Sequence, residues 1–123
     1  ADEGLLGNIF SLSLAKRDIT GAMESYADLT EFLIRYPESE YIDAARERLI
    51  FLRNLIASSE LDGAEYYLKR GAYLAALNRA NYVLKNIPNS TEKQRALDIM
   101  KKSFIELGYE EYAEKVSSVE ALN

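Results

Sequence analysis

Apolar residues recur three and four positions apart along most of this chain, while strict alternation is absent and β-branched residues are few. The pattern predicts helices and no sheet. Ala22, Tyr26, Leu29, Leu33 and Tyr36 form the first clear stripe, which predicts an amphipathic helix from Thr20 to Arg35, opened by Asp18 or Thr20 as its cap. Pro37 stops it, because proline lacks an amide donor and forces its predecessor out of the helical region. Upstream the pattern blurs. Leu5, Leu6, Ile9 and Phe10 suit the tail of a helix, and Ser11 to Arg17 read as a loop.

Ser39 is placed to cap a second helix. From Tyr41 to Ile56 apolar residues cover most of the helical girth, which predicts a helix sandwiched between neighbours. Ser59 and Asp62 have capping-box spacing and hint at a new start, and Glu60 to Arg70 is helical again. Gly71 can take the left-handed turn that ends a helix. Tyr73, Ala76, Leu77, Ala80, Val83, Leu84 and Ile87 mark a further helix, ended by Pro88. Asn89 and Glu92 have box spacing ahead of a helix to Leu107; after Gly108 a last helix runs from Tyr109 to about Glu120.

An internal repeat organises these pieces. Tyr67, Gly71 and Ala76 recur as Phe104, Gly108 and Ala113, each 37 positions later. An aromatic, a glycine four residues on and an alanine five further resemble the tetratricopeptide repeat. The aromatic fills the gap between paired helices, the glycine makes the turn, and the alanine lets two backbones approach. Pro37 and Pro88 lie 51 residues apart, 17 more than the usual period of about 34. One long helix over about 40–70 accounts for the excess; two helices broken near Ser58 are the alternative. The expected fold is all-α, a tetratricopeptide-like α-α superhelix of about six to seven antiparallel helices. It forms a single domain over 1–123, with repeat units near 20–37, 40–88 and 90–121.

Composition narrows the function. The 123 residues include no Cys, no His and no Trp. A disulfide framework and thiolate metal sites are excluded, and the commonest general base and metal ligand are missing. No phosphate loop, nucleophile elbow or metal triad is visible, and the carboxylates sit at helix-surface spacings. Asn89-Ser90-Thr91 matches the glycosylation sequon but is explained as a helix start. A net charge of −5 argues against nucleic acid. No cofactor, metal or nucleic acid is expected, and no segment nears the roughly 18 apolar residues of a membrane helix.

The charge is uneven. Residues 69–102 hold Lys69, Arg70, Arg79, Lys85, Lys93, Arg95, Lys101 and Lys102 against Glu92 and Asp98, a balance of +6. Counting about 100° per residue along the helix at Tyr73 puts Ala75, Asn78, Arg79, Tyr82 and Asn86 opposite the core stripe. A planar cation flanked by Asn and Tyr suits capture of a partner's carboxylate. Asn78, Arg79 and Tyr82, with Lys69 and Arg70 of the same basic stretch, are therefore the candidate partner-binding residues. Charge reversal at Arg79 is expected to leave folding almost unchanged.

A closer likeness covers residues 4–119. It is carried by Arg17-Asp18, Tyr36-Pro37-x-Ser39-x-Tyr41, Asp43-Ala44, Arg48-Leu49, Ala64-x-Tyr66-Tyr67, Arg70-Gly71-Ala72, Asn78-Arg79 and Ala113-Glu114-Lys115-Val116. With the long proline spacing, these resemble the C-terminal half of the BamD family, tetratricopeptide lipoproteins of the β-barrel assembly machine in Gram-negative outer membranes. Ile87-Pro88 stands where that family has Tyr-Pro. The resemblance implies a non-enzymatic scaffold on the periplasmic face of the outer membrane. It implies protein partners: the POTRA domains of BamA, and other assembly-machine lipoproteins. Membrane attachment would come only through a lipid anchor absent from this chain, and Arg79 falls at the position of the BamA contact. Other readings are a periplasmic tetratricopeptide protein of the Tol–Pal-associated coordinator type and a helical accessory domain of a larger enzyme.

Overall fold

The computed structural model describes the backbone of residues 2–122 and the side chains of residues 19–122. Five helices occupy the described residues: α1 (Asp2–Arg35), α2 (Ile42–Lys69), α3 (Tyr73–Asn86), α4 (Lys93–Glu106) and α5 (Glu110–Ala121). There are five rather than six or seven because α1 and α2 each run through a predicted break. Residues 11–17 continue α1 instead of forming a loop. They contain no Gly or Pro, so nothing in the stretch forbids helix, and a serine costs only a few tenths of a kcal/mol there. Asp18 and Thr20 consequently lie inside α1, not at its start. α2 passes Ser58, Ser59 and Gly63 unbroken, as the long-helix reading requires.

The chain divides into two units, residues 1–56 and 57–123. In the first, Pro37 ends α1 as predicted. The Tyr36 amide still donates to the Phe32 carbonyl at 2.9 Å, and Ser39 N–H then donates to the Tyr36 carbonyl at 3.1 Å. Ser39 Oγ accepts the Tyr41 amide at 3.1 Å and so serves the entry to α2. Ala22, Ala45, Leu52 and Ile56 are buried, whereas Tyr41, Ile50 and Phe51 are exposed. The expected sandwiching of this part of α2 is therefore not met within the unit. Ile50 and Phe51, off the buried stripe, face solvent, and the Arg48 guanidinium 4.9 Å above the Phe51 ring shades it in part.

The second unit holds the main core. Ala57, Leu61 and Ala64 of α2 meet Ala76, Ala80 and Val83 of α3 and Ala96 and Ile99 of α4. Each run steps by three or four, so each is one stripe of a helix. The seam is rich in alanine, and small side chains let backbones approach closely. Tyr67, Leu68, Leu84, Ile87 and Met100 close over it. The Ser103 hydroxyl, fully buried, donates to the Ile99 carbonyl at 2.8 Å and needs no other partner.

The 37-residue repeat is reproduced in the backbone. Gly71 and Gly108 have φ of +78° and +85°, the left-handed region that glycine enters without a Cβ penalty. At the first turn the Ala72 amide donates to the Tyr67 carbonyl (2.9 Å); at the second the Tyr109 amide donates to the Phe104 carbonyl (2.8 Å). Both are the six-to-one bond of a glycine-terminated helix. Between them the Asn89–Glu92 capping box is not formed. Ser90 Oγ accepts the Glu92 amide instead, at 3.3 Å, because the turn after Pro88 buries Ser90 and leaves Asn89 exposed.

Two substitutions test this architecture by chemical denaturation. Ala76 is fully buried in the seam, so Ala76→Leu should cost about 1–3 kcal/mol through overpacking. Gly71→Val should cost about 1 kcal/mol or more, since a β-branched residue is strained at positive φ.

Candidate partner-binding face

α3 has one buried side and one open one. Ala76, Ala80 and Val83 face the core, and Asn78, Tyr82 and Asn86 line the solvent side. Asn86 Nδ2 donates to the Tyr82 carbonyl at 3.1 Å, tying the last turn of that line.

Arg79 lies between these two sides. Its side chain is 41% exposed and reaches across to α2, where Nη1 stands 3.6 Å from Glu60 Oε2. Its guanidinium carbon is 5.2 Å from the centre of the Tyr67 ring. Charge reversal at Arg79 would set a second carboxylate against Glu60, so the fold would not ignore it; an uncharged replacement is the cleaner probe of binding.

A second arginine extends the arrangement. Arg70 sits 4.3 Å above the Tyr66 ring, one turn before it on α2. The Tyr66 and Tyr67 rings meet edge to face at 5.7 Å. Arg70, Tyr66, Tyr67 and Arg79 thus form one continuous chain, two cation–aromatic contacts joined by a ring–ring contact, each cation–aromatic contact worth about 0.5–1 kcal/mol at exposed sites. Lys69 stands apart. At about 100° per residue it falls on the side of α2 that carries Asp62 and Glu65, away from Glu60, Gly63 and Tyr67.

That other side of α2 is occupied by Arg95 of α4. Its Nη2 donates to Asp62 Oδ1 at 2.6 Å and its Nε to Glu65 Oε1 at 2.9 Å. Its Nη1 lies 3.5 Å from both the Ser58 carbonyl and Glu92. The Arg95 hydrogen bond holds the Glu65 carboxyl below its ordinary value, with Lys69 and Lys102 adding to the effect. Bonds to Glu65 first, then Asp62, push the Arg95 pKa further up. At least two of the eight cations in the basic stretch, Arg79 and Arg95, are therefore paired with α2 acids. The excess of +6 overstates the charge offered to a partner, because those acids lie outside 69–102 in sequence and beside it in space.

Sequence reasoning did not find the Arg95 clamp or the acid beside Arg79. The available signal was the spacing of Ser58, Asp62 and Glu65, which share one side of a continuous α2. That signal has no meaning until α4 is known to lie on the same side.

Known proteins place the chain. Residues 5–119 match the model of YfiO, outer membrane lipoprotein. The chain belongs to the YfiO family. Over 118 residues, 96% of its length, it is 33% identical to the outer membrane protein assembly factor BamD of Xylella fastidiosa strain 9a5c, of which it covers 40%. The BamD of Vibrio cholerae serotype O1 is 30% identical over 122 residues, 99% of this chain and 51% of that protein. That of Neisseria meningitidis serogroup A strain Z2491 is 32% identical over 107 residues, 87% of this chain and 40% of that protein. This YfiO-family chain thus spans about two-fifths to one-half of the relatives it matches.

The clamp gives a signed pH dependence. Glu65 is more acidic folded than its ordinary 4.5, so its contribution is fully present above that value and is lost as pH falls through the folded value. Glu65→Gln should therefore destabilise most at neutral pH. The gap to the parent should narrow as denaturation is repeated at pH values below about 4.5. A gap that stays constant down to pH 3 would mean the pair acts through packing rather than charge.

Proposed function

We propose that this chain is a non-enzymatic scaffold of outer-membrane protein assembly at the periplasmic face of the outer membrane, and that its α3 face docks on a POTRA domain of BamA. The assembly role rests on family membership and on what the relatives' names state. Among the described residues no helix is long and apolar enough to cross a membrane.

The observation that carries the docking face is the state of Arg79. It is held over Tyr67, its acid neighbour Glu60 is 3.6 Å away, and two-fifths of its side chain faces solvent. Hydrogen bonds from N–H to oxygen run at about 2.7–3.2 Å. The guanidinium is therefore positioned without being saturated, and an arriving carboxylate can take the forked geometry that Glu60 does not. Asn78 and Tyr82 flank it with amide and phenol groups, and Arg70 on Tyr66 prolongs the cationic strip. Arginine and tyrosine are the residue types most often found as interface anchors. Lys69, on the other side of α2, contributes long-range attraction rather than contact.

Titration of a purified POTRA domain from the barrel-forming subunit tests this. Arg79→Gln should weaken binding about tenfold or more, roughly 1.4 kcal/mol. It should cost the fold less than about 1 kcal/mol, because the Glu60 pair is part-exposed and loose. Arg79→Lys, which keeps the charge and loses the fork, should fall between the two. Equal affinities of parent and Arg79→Gln would overturn the assignment of this face, and Tyr82 with it.

A further inference from the structure

Gly63 is out of place by helix propensity. It sits inside the 28-residue helix α2, where glycine is disfavoured relative to alanine. It lies at no turn, and its φ is not positive. What lies against it is one side chain. A methyl group at position 63 would meet Arg79 Nη1 at 2.8 Å, Cζ at 3.3 Å and Cδ at 3.4 Å. The first distance is shorter than any ordinary contact, so a larger residue at 63 obliges the guanidinium end of Arg79 to shift from its present seat. Gly63 and Arg79 each lie eight residues from Gly71, the register that an antiparallel pair turning at Gly71 requires.

From this we infer that Gly63 is a positioning residue for the α3 face. With Glu60 at one edge and the Tyr67 ring at the other, its missing side chain forms a cradle that fixes the Arg79 fork for a partner's carboxylate. The inference rests on the docking role proposed for Arg79 and adds how that role is prepared. Glu60, Gly63 and Tyr67 are spaced three and four apart and share one side of α2. That side supplies three different things: a charge, a gap and a flat ring. The gap lets the guanidinium lie against the α2 backbone, and the ring and the acid set its tilt. Holding a long side chain in its bound conformation before contact reduces the ordering cost of binding.

The test separates positioning from stability, because the two effects of Gly63→Ala have opposite signs. Alanine is the better helix former, so the melting temperature should stay level or rise. At the same time the Arg79 side-chain resonances, displaced in the parent by the Tyr67 ring current, should move toward free-arginine positions. Affinity for the POTRA domain should fall about fivefold, as a preorganised contact becomes a mobile one. In an Arg79→Gln background, Gly63→Ala should leave affinity unchanged. Arg79 resonances that do not move would overturn the cradle, as would an affinity loss of equal size in both backgrounds. A face that never bound the POTRA domain would be exposed separately, by Arg79→Gln leaving affinity intact.

Discussion

Close approach of three helices through alanine is the constraint on which the second unit depends. Ala57, Ala64, Ala76, Ala80 and Ala96 are all fully buried in one cluster. Side chains this small fill little volume, so the backbones must come together to exclude water, and good packing follows only at short separation. Long charged residues do not fit in such a seam and lie at its margins. Arg79 and Arg95 are the result. Each leaves its own helix at the edge of the core, crosses to α2 and ends on a carboxylate, one on each side of the seam. The same crowding explains why the Arg79 crossing requires a residue without a side chain beneath it.

The two margins are built differently, and the difference separates a fastening from a partly open cation. Arg95 bonds to two acids at 2.6 and 2.9 Å and reaches a carbonyl and a third acid, with only 28% of its side chain exposed. Its donors are spent inside the molecule. Arg79 has one distant acid and an aromatic ring, and keeps more of its surface open. Residues that look alike in sequence, both arginines in one basic stretch, are set apart by how many oxygens the opposing helix brings within reach.

Much of the fold was legible from the residues. The ends of α3, α4 and α5 follow from Pro88, Gly71 and Gly108, whose backbone chemistry leaves little choice. A proline spacing too long for an ordinary repeat favoured one long helix at α2 but left a break near Ser58 open, and α2 runs through it. The N-terminal stretch misled, because Ser11 to Arg17 lack a strong helical stripe, and a weak stripe is no evidence of a break unless Gly or Pro supplies one. The capping box at Asn89 misled for a related reason: the spacing was right, and the turn after Pro88 turned a different side chain inward. The solvent side of α3 was readable from periodicity alone. What lay across from Arg79 was not, since Glu60 and Gly63 meet it only after the chain reverses at Gly71.

The chemistry of the two crossings has a consequence for how the second unit meets a change of medium. The ion pairs by which Arg79 and Arg95 cross to α2 are made by arginine and carboxylates, and the chain has no histidine. Arginine stays charged to about pH 12 and carboxylates to about pH 4–5. Neither crossing contains an imidazole, the side chain type that changes charge near neutrality. The second unit is in that sense blind to acidity across the range in which a histidine-based assembly would switch.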